Sequence, residues 1–186
     1  QRETLTQQSL DQIRRMQKAL RQMNLLLDNV VSDIDGVTGM KIIRAIIEGE
    51  RDSTVLAKFR DGRCKKSEKE IAASLEGHYR EEHLFSLKQT VELYDIYQQK
   101  IAACDNAIQT QLERMESKGD KRDLPPSKKA KMKSSPKFDV RGELYRMTGV
   151  DLTQIDGLNE NSVLKVLSET GASVSAWPTE KHFASW

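Results

Sequence analysis

Ile13-Arg14-Arg15-Met16-Gln17-Lys18-Ala19-Leu20-Arg21-Gln22-Met23, continued through Leu27 and Val30 to Ile34, sets the fold class of this chain. Ile13, Met16, Leu20, Met23, Leu27, Val30 and Ile34 follow a strict three-four spacing, which puts all seven on one narrow seam if the segment is a single helix. Such a seam has to meet another helix. The spacing predicts it over about Glu81 to Lys118, where Leu84, Leu87, Val91, Tyr94, Ile101, Ile108, Leu112 and Met115 keep the same register. Gln98 and Asp105 take two seam positions in that run, and polar residues there weaken a coiled coil while fixing its register. Gly119 is the expected stop of the second helix.

Between the two long segments the pattern breaks into short helical pieces at Met40 to Glu48, at Thr54 to Phe59 and from Ser67 onward. Ser67 and Glu70 have the spacing of a capping box. Ile42, Ile43, Ile46, Ile47, Val55, Leu56, Phe59, Ile71 and Leu75 are the expected core of a cap at one end of the stalk. The predicted architecture is therefore all-α: a long antiparallel coiled-coil stalk with a short-helix cap, plus a small helical second domain of helix-hairpin-helix type.

Composition agrees with that class. The chain has 186 residues, 37% apolar and 31% charged but only 5% aromatic, a mix rich in helix formers and poor in strand formers. All four prolines lie after residue 124, so nothing earlier interrupts a helix. No apolar run approaches the roughly 20 residues of a membrane helix, and no signal segment opens the sequence. The expectation is a soluble, cytoplasmic, bacterial-type and nucleoid-associated protein without a membrane partner. Cys64 and Cys104 lack the spacing of a zinc site or a disulfide framework and read as reduced thiols.

The net charge of +2 is unevenly placed. Lys118, Lys121, Arg122, Lys128, Lys129, Lys131, Lys133 and Lys137 stand against Asp120 and Asp123, so 118–137 carries +6 and the remainder −4. With Pro125-Pro126 and Ser134-Ser135-Pro136, the stretch 119–137 is too poor in apolar residues to offset its ordering cost and reads as a basic flexible linker. The domains are accordingly 1–118, a coiled-coil assembly domain, and 138–186. In the second, Asp139 caps a helix through Met147 that Gly149 ends.

Ile155-Asp156-Gly157-Leu158-Asn159 then opens a helix running to Thr170. An apolar-x-Gly-apolar turn at a helix start brings backbone N–H groups within reach of a phosphate. Gly157, Leu158, Asn159, Glu160 and Asn161 are the candidate phosphate-facing residues, and Lys128, Lys129, Lys131, Lys133 and Lys137 a candidate basic tether. The second glycine usual in such hairpins is replaced by Asn159, which tolerates a left-handed conformation. A plain helix-turn-helix packing corner is the alternative. Ile34-Asp35-Gly36-Val37-Thr38-Gly39 repeats the pattern with the second glycine in place; its preferred reading is a C-cap closing the heptad helix at Gly36, and its alternative a phosphate contact through Gly39, Met40, Lys41 and Arg44.

No catalytic constellation emerges. Asp28, Asp33 and Asp35 read as a polar helix end rather than a two-metal site, and His78 and His83 have no ligand partners at metal-binding spacing.

Several blocks together resemble one family. Asp35-Gly36-Val37-Thr38-Gly39, Arg44-Ala45-Ile46-Ile47-Glu48-Gly49-Glu50-Arg51-Asp52, Cys64-Lys65-Lys66-Ser67, Glu82-His83-Leu84-Phe85 and Leu93-Tyr94-Asp95-Ile96-Tyr97 resemble the coiled-coil region of insertion sequence 110 family transposases, the bridge-RNA-guided DNA recombinases. Phe138 to Trp186, with Val150-Asp151-Leu152 and Lys181-His182-Phe183-Ala184-Ser185-Trp186, resembles the opening of that family's carboxy-terminal domain.

The resemblance implies an internal fragment of a larger transposase that assembles protomers, as a dimer or higher, and holds DNA and a structured guide RNA. The assembly seam would be Ile13, Met16, Leu20, Met23, Leu27, Val30 and Ile34 with Leu84, Leu87, Val91, Tyr94, Ile101, Ile108, Leu112 and Met115. It also implies that neither catalytic element lies in this chain. The serine-bearing segment would follow it, and the ribonuclease-H-like domain, which uses divalent metal, expected to be magnesium, would precede it. No cofactor is expected in the chain itself. The rival expectation is a structural adaptor, its stalk an intramolecular hairpin, that binds protein.

Overall fold

The computed structural model describes residues 1–127, 133–173 and 175–185. Among these the chain is all-helical, with eight α-helices: α1 (Arg2–Gln22), α2 (Val37–Ile47), α3 (Ser53–Ala57), α4 (Glu68–Ser74), α5 (Glu81–Arg114), α6 (Val140–Thr148), α7 (Glu160–Thr170) and α8 (Glu180–Ser185). Short 3₁₀ turns occur at Leu27–Asn29, Lys121–Asp123 and Leu152–Gln154. The chain divides into two compact units, Gln1–Ile101 and Ala102–Trp186. The division falls inside α5.

In the first unit the heptad run is not one helix. The helix α1 stops at Gln22, Asn24 adopts a left-handed φ of 58°, and Leu25 N–H returns to the Leu20 carbonyl at 2.9 Å. One distant segment of backbone, 74–78, holds this stop. His78 N–H donates to the Met23 carbonyl and Leu26 N–H to the Ser74 carbonyl, each at 2.8 Å. Gly77 packs on the Met23 carbonyl so closely that a Cβ could not be accommodated. Leu27 then lies in a 3₁₀ turn, and Val30 and Ile34 follow outside any helix. The expected helix from Ile13 through Ile34 is therefore corrected: a nonlocal cap ends it at Gln22, twelve residues before the pattern does.

The seven seam residues nevertheless reach one place. Met16, Leu20, Met23, Leu27, Val30 and Ile34 are buried in a single core, with Ile13 packed against it. The same core takes Ile42, Ile43, Ile46, Leu56, Ile71 and Leu75, and from α5 it takes Leu87 and Val91, flanked by Leu84 and Tyr94. Each fully buried leucine or isoleucine here contributes about 1.5 to 3 kcal/mol relative to exposure. Among the expected cap residues Phe59 differs, being 38% exposed. The first part of α5 runs opposite to α1: Ser9 accepts a hydrogen bond from Gln98 at 2.8 Å, whereas Ala19 and Gln22 share a groove with Phe85, Ser86 and Gln89.

Local sequence explains the short helices. Asp52 caps α3 by accepting from Thr54 N–H, and Ser67 with Glu70 forms both halves of a capping box on α4. Lys66 and the Ser67 N–H and hydroxyl hold the Glu70 carboxyl down at about 2.

In the second unit, Ile108 and Leu112 of α5 pack with Val140, Leu144, Met147 and Val163. Asp139 caps α6 through Gly142 N–H, and Gly149 ends it with a left-handed φ of 75°. The segment after α5 is not free. Lys118 and Gly119 N–H both reach the Arg146 carbonyl at 2.7 and 3.0 Å, and Lys121 pairs with buried Glu143. The first part of the expected linker is thus docked on α6, and α5 ends at Arg114 rather than at Gly119.

Candidate nucleic-acid interface

The turn at the head of α7 is built from two residues with separate tasks. Gly157 takes φ 83° and has open space around it, a conformation that an L side chain adopts only under strain. Asn159 does not substitute for a second glycine. Its backbone is extended, at φ −118°, and its side chain caps α7 by accepting from Ser162 N–H at 3.0 Å. The expected left-handed Asn159 is corrected accordingly. Its carboxamide satisfies the third N–H of the helix, so the first-turn donors it leaves are those of Glu160 and Asn161. Gly157 is exposed, while Leu158, Asn159, Glu160 and Asn161 are half-buried. Asp156 and Glu160 put two carboxyl groups at the same turn, so the turn by itself carries no excess of positive charge.

Of the tether lysines, Lys128, Lys129 and Lys131 lie outside the described residues. Lys133 and Lys137 are exposed, and the Lys137 N–H donates to the Asp105 carboxylate at 3.1 Å. That bond explains the polar seam position: Asp105 is 4% exposed and anchors the chain entering α6.

The earlier Ile34 to Gly39 string is a helix start. Gly36 is the N-cap of α2, with no side-chain cap, and so does not close the heptad helix. Gly39 packs directly on the Ile34 backbone, with no room for a Cβ. Arg44 is engaged elsewhere, its guanidinium 2.7 Å from Asp95. Burial, with the nearby Asp35 and Asp95 carboxylates, raises the Tyr94 hydroxyl beside this pair to about 12.

The residues of the expected seam are distributed over both cores. Those from Met16 to Ile34 and from Leu84 to Tyr94 are covered by their own chain in the first unit, and Ile108 and Leu112 in the second. Ile101 is 9% and Met115 48% exposed. The apolar groups of α5 left open are instead Phe85, Leu93 and Ile96.

Sequence reasoning missed the charged interior of the second unit. Arg141, Asp151 and Thr153 interlock, and Glu143 accepts from both Lys121 and Arg146. Burial pushes the Glu143 and Asp151 carboxyls up, but the hydrogen bonds from these cations outweigh it and hold both below their ordinary values. Nothing in the local pattern distinguishes these charges from a solvated face. Among the described residues no group of three or more His, Cys, Asp or Glu could hold a metal, and no helix is long and apolar enough to cross a membrane.

Comparison with protein-family models, curated proteins and solved structures finds no match.

Proposed function

We propose that this chain is the assembly and nucleic-acid-binding part of a DNA transposase of the insertion sequence 110 kind, holding DNA and a structured guide RNA without cutting either. The observation that carries this reading is the exposed left-handed turn at Gly157 opening α7, in a unit whose sequence includes a lysine-rich segment. Phosphate contact there is through backbone N–H groups and is indifferent to base sequence. Positive charge comes from the lysines of 128–137, because Asp156 and Glu160 neutralise the turn itself.

The test is electrophoretic mobility of the whole chain with duplex DNA and with structured RNA across a salt series. Five or six phosphate contacts give a slope of log affinity against log salt of roughly −4 to −5 on duplex. Absence of any shift at low salt ends this reading. Molar mass by light scattering at several concentrations tests the assembly part, a concentration-dependent dimer being expected.

A second reading, a helical adaptor for protein partners, draws on a different observation. The heptad residues of α1 are satisfied within their own chain, leaving Phe85, Leu93 and Ile96 of α5 exposed. A monomer that ignores nucleic acid at low salt favours it.

A further inference from the structure

The connection between α3 and α4 carries Lys58, Arg60, Arg63, Lys65 and Lys66 against Asp61, a net charge of +4 over nine residues that lies far in sequence from the lysine-rich segment. This loop is tightly fixed. The Arg60 guanidinium donates to the Cys64 and Lys66 carbonyls, both at 2.6 Å, and Cys64 N–H closes a turn on the Asp61 carbonyl at 2.9 Å. Asp61 N–H is anchored to the buried Thr38 hydroxyl at 3.0 Å, and the Cys64 thiol points to the Val30 carbonyl at 3.6 Å.

One cation therefore organises the loop from within, and its acceptors are neutral carbonyls, so its charge is not cancelled. Arg63 is displayed with its side chain 84% exposed, and Lys58 and Lys65 are exposed as well. Two carboxylates moderate the field: Asp61 pairs with Arg63, and Glu70 with Lys66. Lys41 on α2 also acts electrostatically on Asp61. Amid these cations Phe59, expected in the core, is exposed over more than a third of its surface.

We infer that this loop is a binding site for an unpaired nucleic-acid strand, its phosphates meeting Arg63, Lys65 and Lys66 and a base stacking on Phe59. A fixed array of cations on a polyanion loses little conformational freedom on binding, and an aromatic among cations suits unpaired bases, whose faces are open, rather than a duplex. The site is additional to the Gly157 turn and rests on the reading above only in taking nucleic acid as what the chain meets.

The experiment is fluorescence anisotropy of the whole chain with a labelled single strand and a duplex of equal length, over a salt series. Arg63→Gln with Lys65→Gln, both exposed, lowers the single-strand salt slope by about 1.4 and leaves the circular dichroism unchanged. Phe59→Leu, which keeps apolar bulk, weakens single-strand binding roughly five- to hundredfold, while Phe59→Trp retains it. Unchanged binding in the loop variants, with a loss in Lys133→Gln/Lys137→Gln, overturns the loop site and leaves the proposed function standing. Binding by neither strand nor duplex in the unsubstituted chain overturns both. Equal losses on strand and duplex, with Phe59→Leu silent, also overturn it, reducing the loop to a nonspecific polyanion contact.

Discussion

Arg141 on α6 and Asp151 beyond it form a buried ion pair, Nη2 to Oδ2 at 2.5 Å, with both side chains under a tenth exposed. Thr153 and Gln154 complete the carboxylate, so the pair is satisfied as a network. Removing one partner strands the other charge in the interior, which costs far more than the intact pair contributes.

Arg141→Met should therefore destabilise the second unit by about 3 to 5 kcal/mol, read as a lower urea midpoint. Adding Asp151→Leu should recover much of the loss. A double variant no more stable than Arg141→Met would mean that the network does more than neutralise itself.

Acid should destabilise this unit. The Glu143 and Asp151 carboxyls titrate below their ordinary values of 4.5 and 3.8 because bonds from Lys121, Arg146 and Arg141 outweigh burial. The unfolded chain then binds protons before the folded one does. Stability is fully present above the ordinary values and is lost as pH falls through the depressed ones. Urea midpoints between pH 6 and pH 2 should fall below about pH 4.5, and Glu143→Gln should flatten that fall.

Leu20→Ala should cost about 2 to 5 kcal/mol of first-unit stability, because Leu20 is 1% exposed within its own chain. Leu20→Glu with Leu27→Glu should abolish the fold of that unit. If the double variant keeps its helical circular dichroism and changes only its molar mass, those residues face another protomer instead.

Gly157→Ala tests the α7 turn. With open space and a φ of 83°, the alanine meets backbone strain alone, so a loss of about 1 kcal/mol is expected. Weaker binding to DNA at unchanged helix content would tie the turn to phosphate.

Much of this fold was legible because its signals are local. The capping box at Ser67 and Glu70, the Asp139 cap and the Gly149 stop each involve residues a few positions apart. The end of α1 was not legible: Asn24 turns there because Ser74, Gly77 and His78 hold Met23 and Leu26. Leu27, Val30 and Ile34 keep the heptad spacing because they cover the same core as Met16 and Leu20, not because they continue the helix. Of the candidate site, Gly157 and the Asn159 cap follow from residue type, whereas the α3–α4 loop was hidden by judging charge over long segments. Its order depends on the pairing of Asp61 with Thr38, 23 residues away.

The end of α5 is held by a residue that is made late. Besides its local bond to Glu143, the Arg146 guanidinium donates to the Leu112 and Met115 carbonyls, the latter 31 residues earlier in the chain. On a ribosome adding about 5 to 20 residues per second, the Met115 carbonyl waits roughly 2 to 6 s for this donor, while the Leu112 carbonyl already holds the Met115 N–H. Through that interval the finish of the nascent helix rests on one local bond, Met115 N–H to the Leu112 carbonyl, and a pause between residues 115 and 146 would prolong its exposure to chaperones.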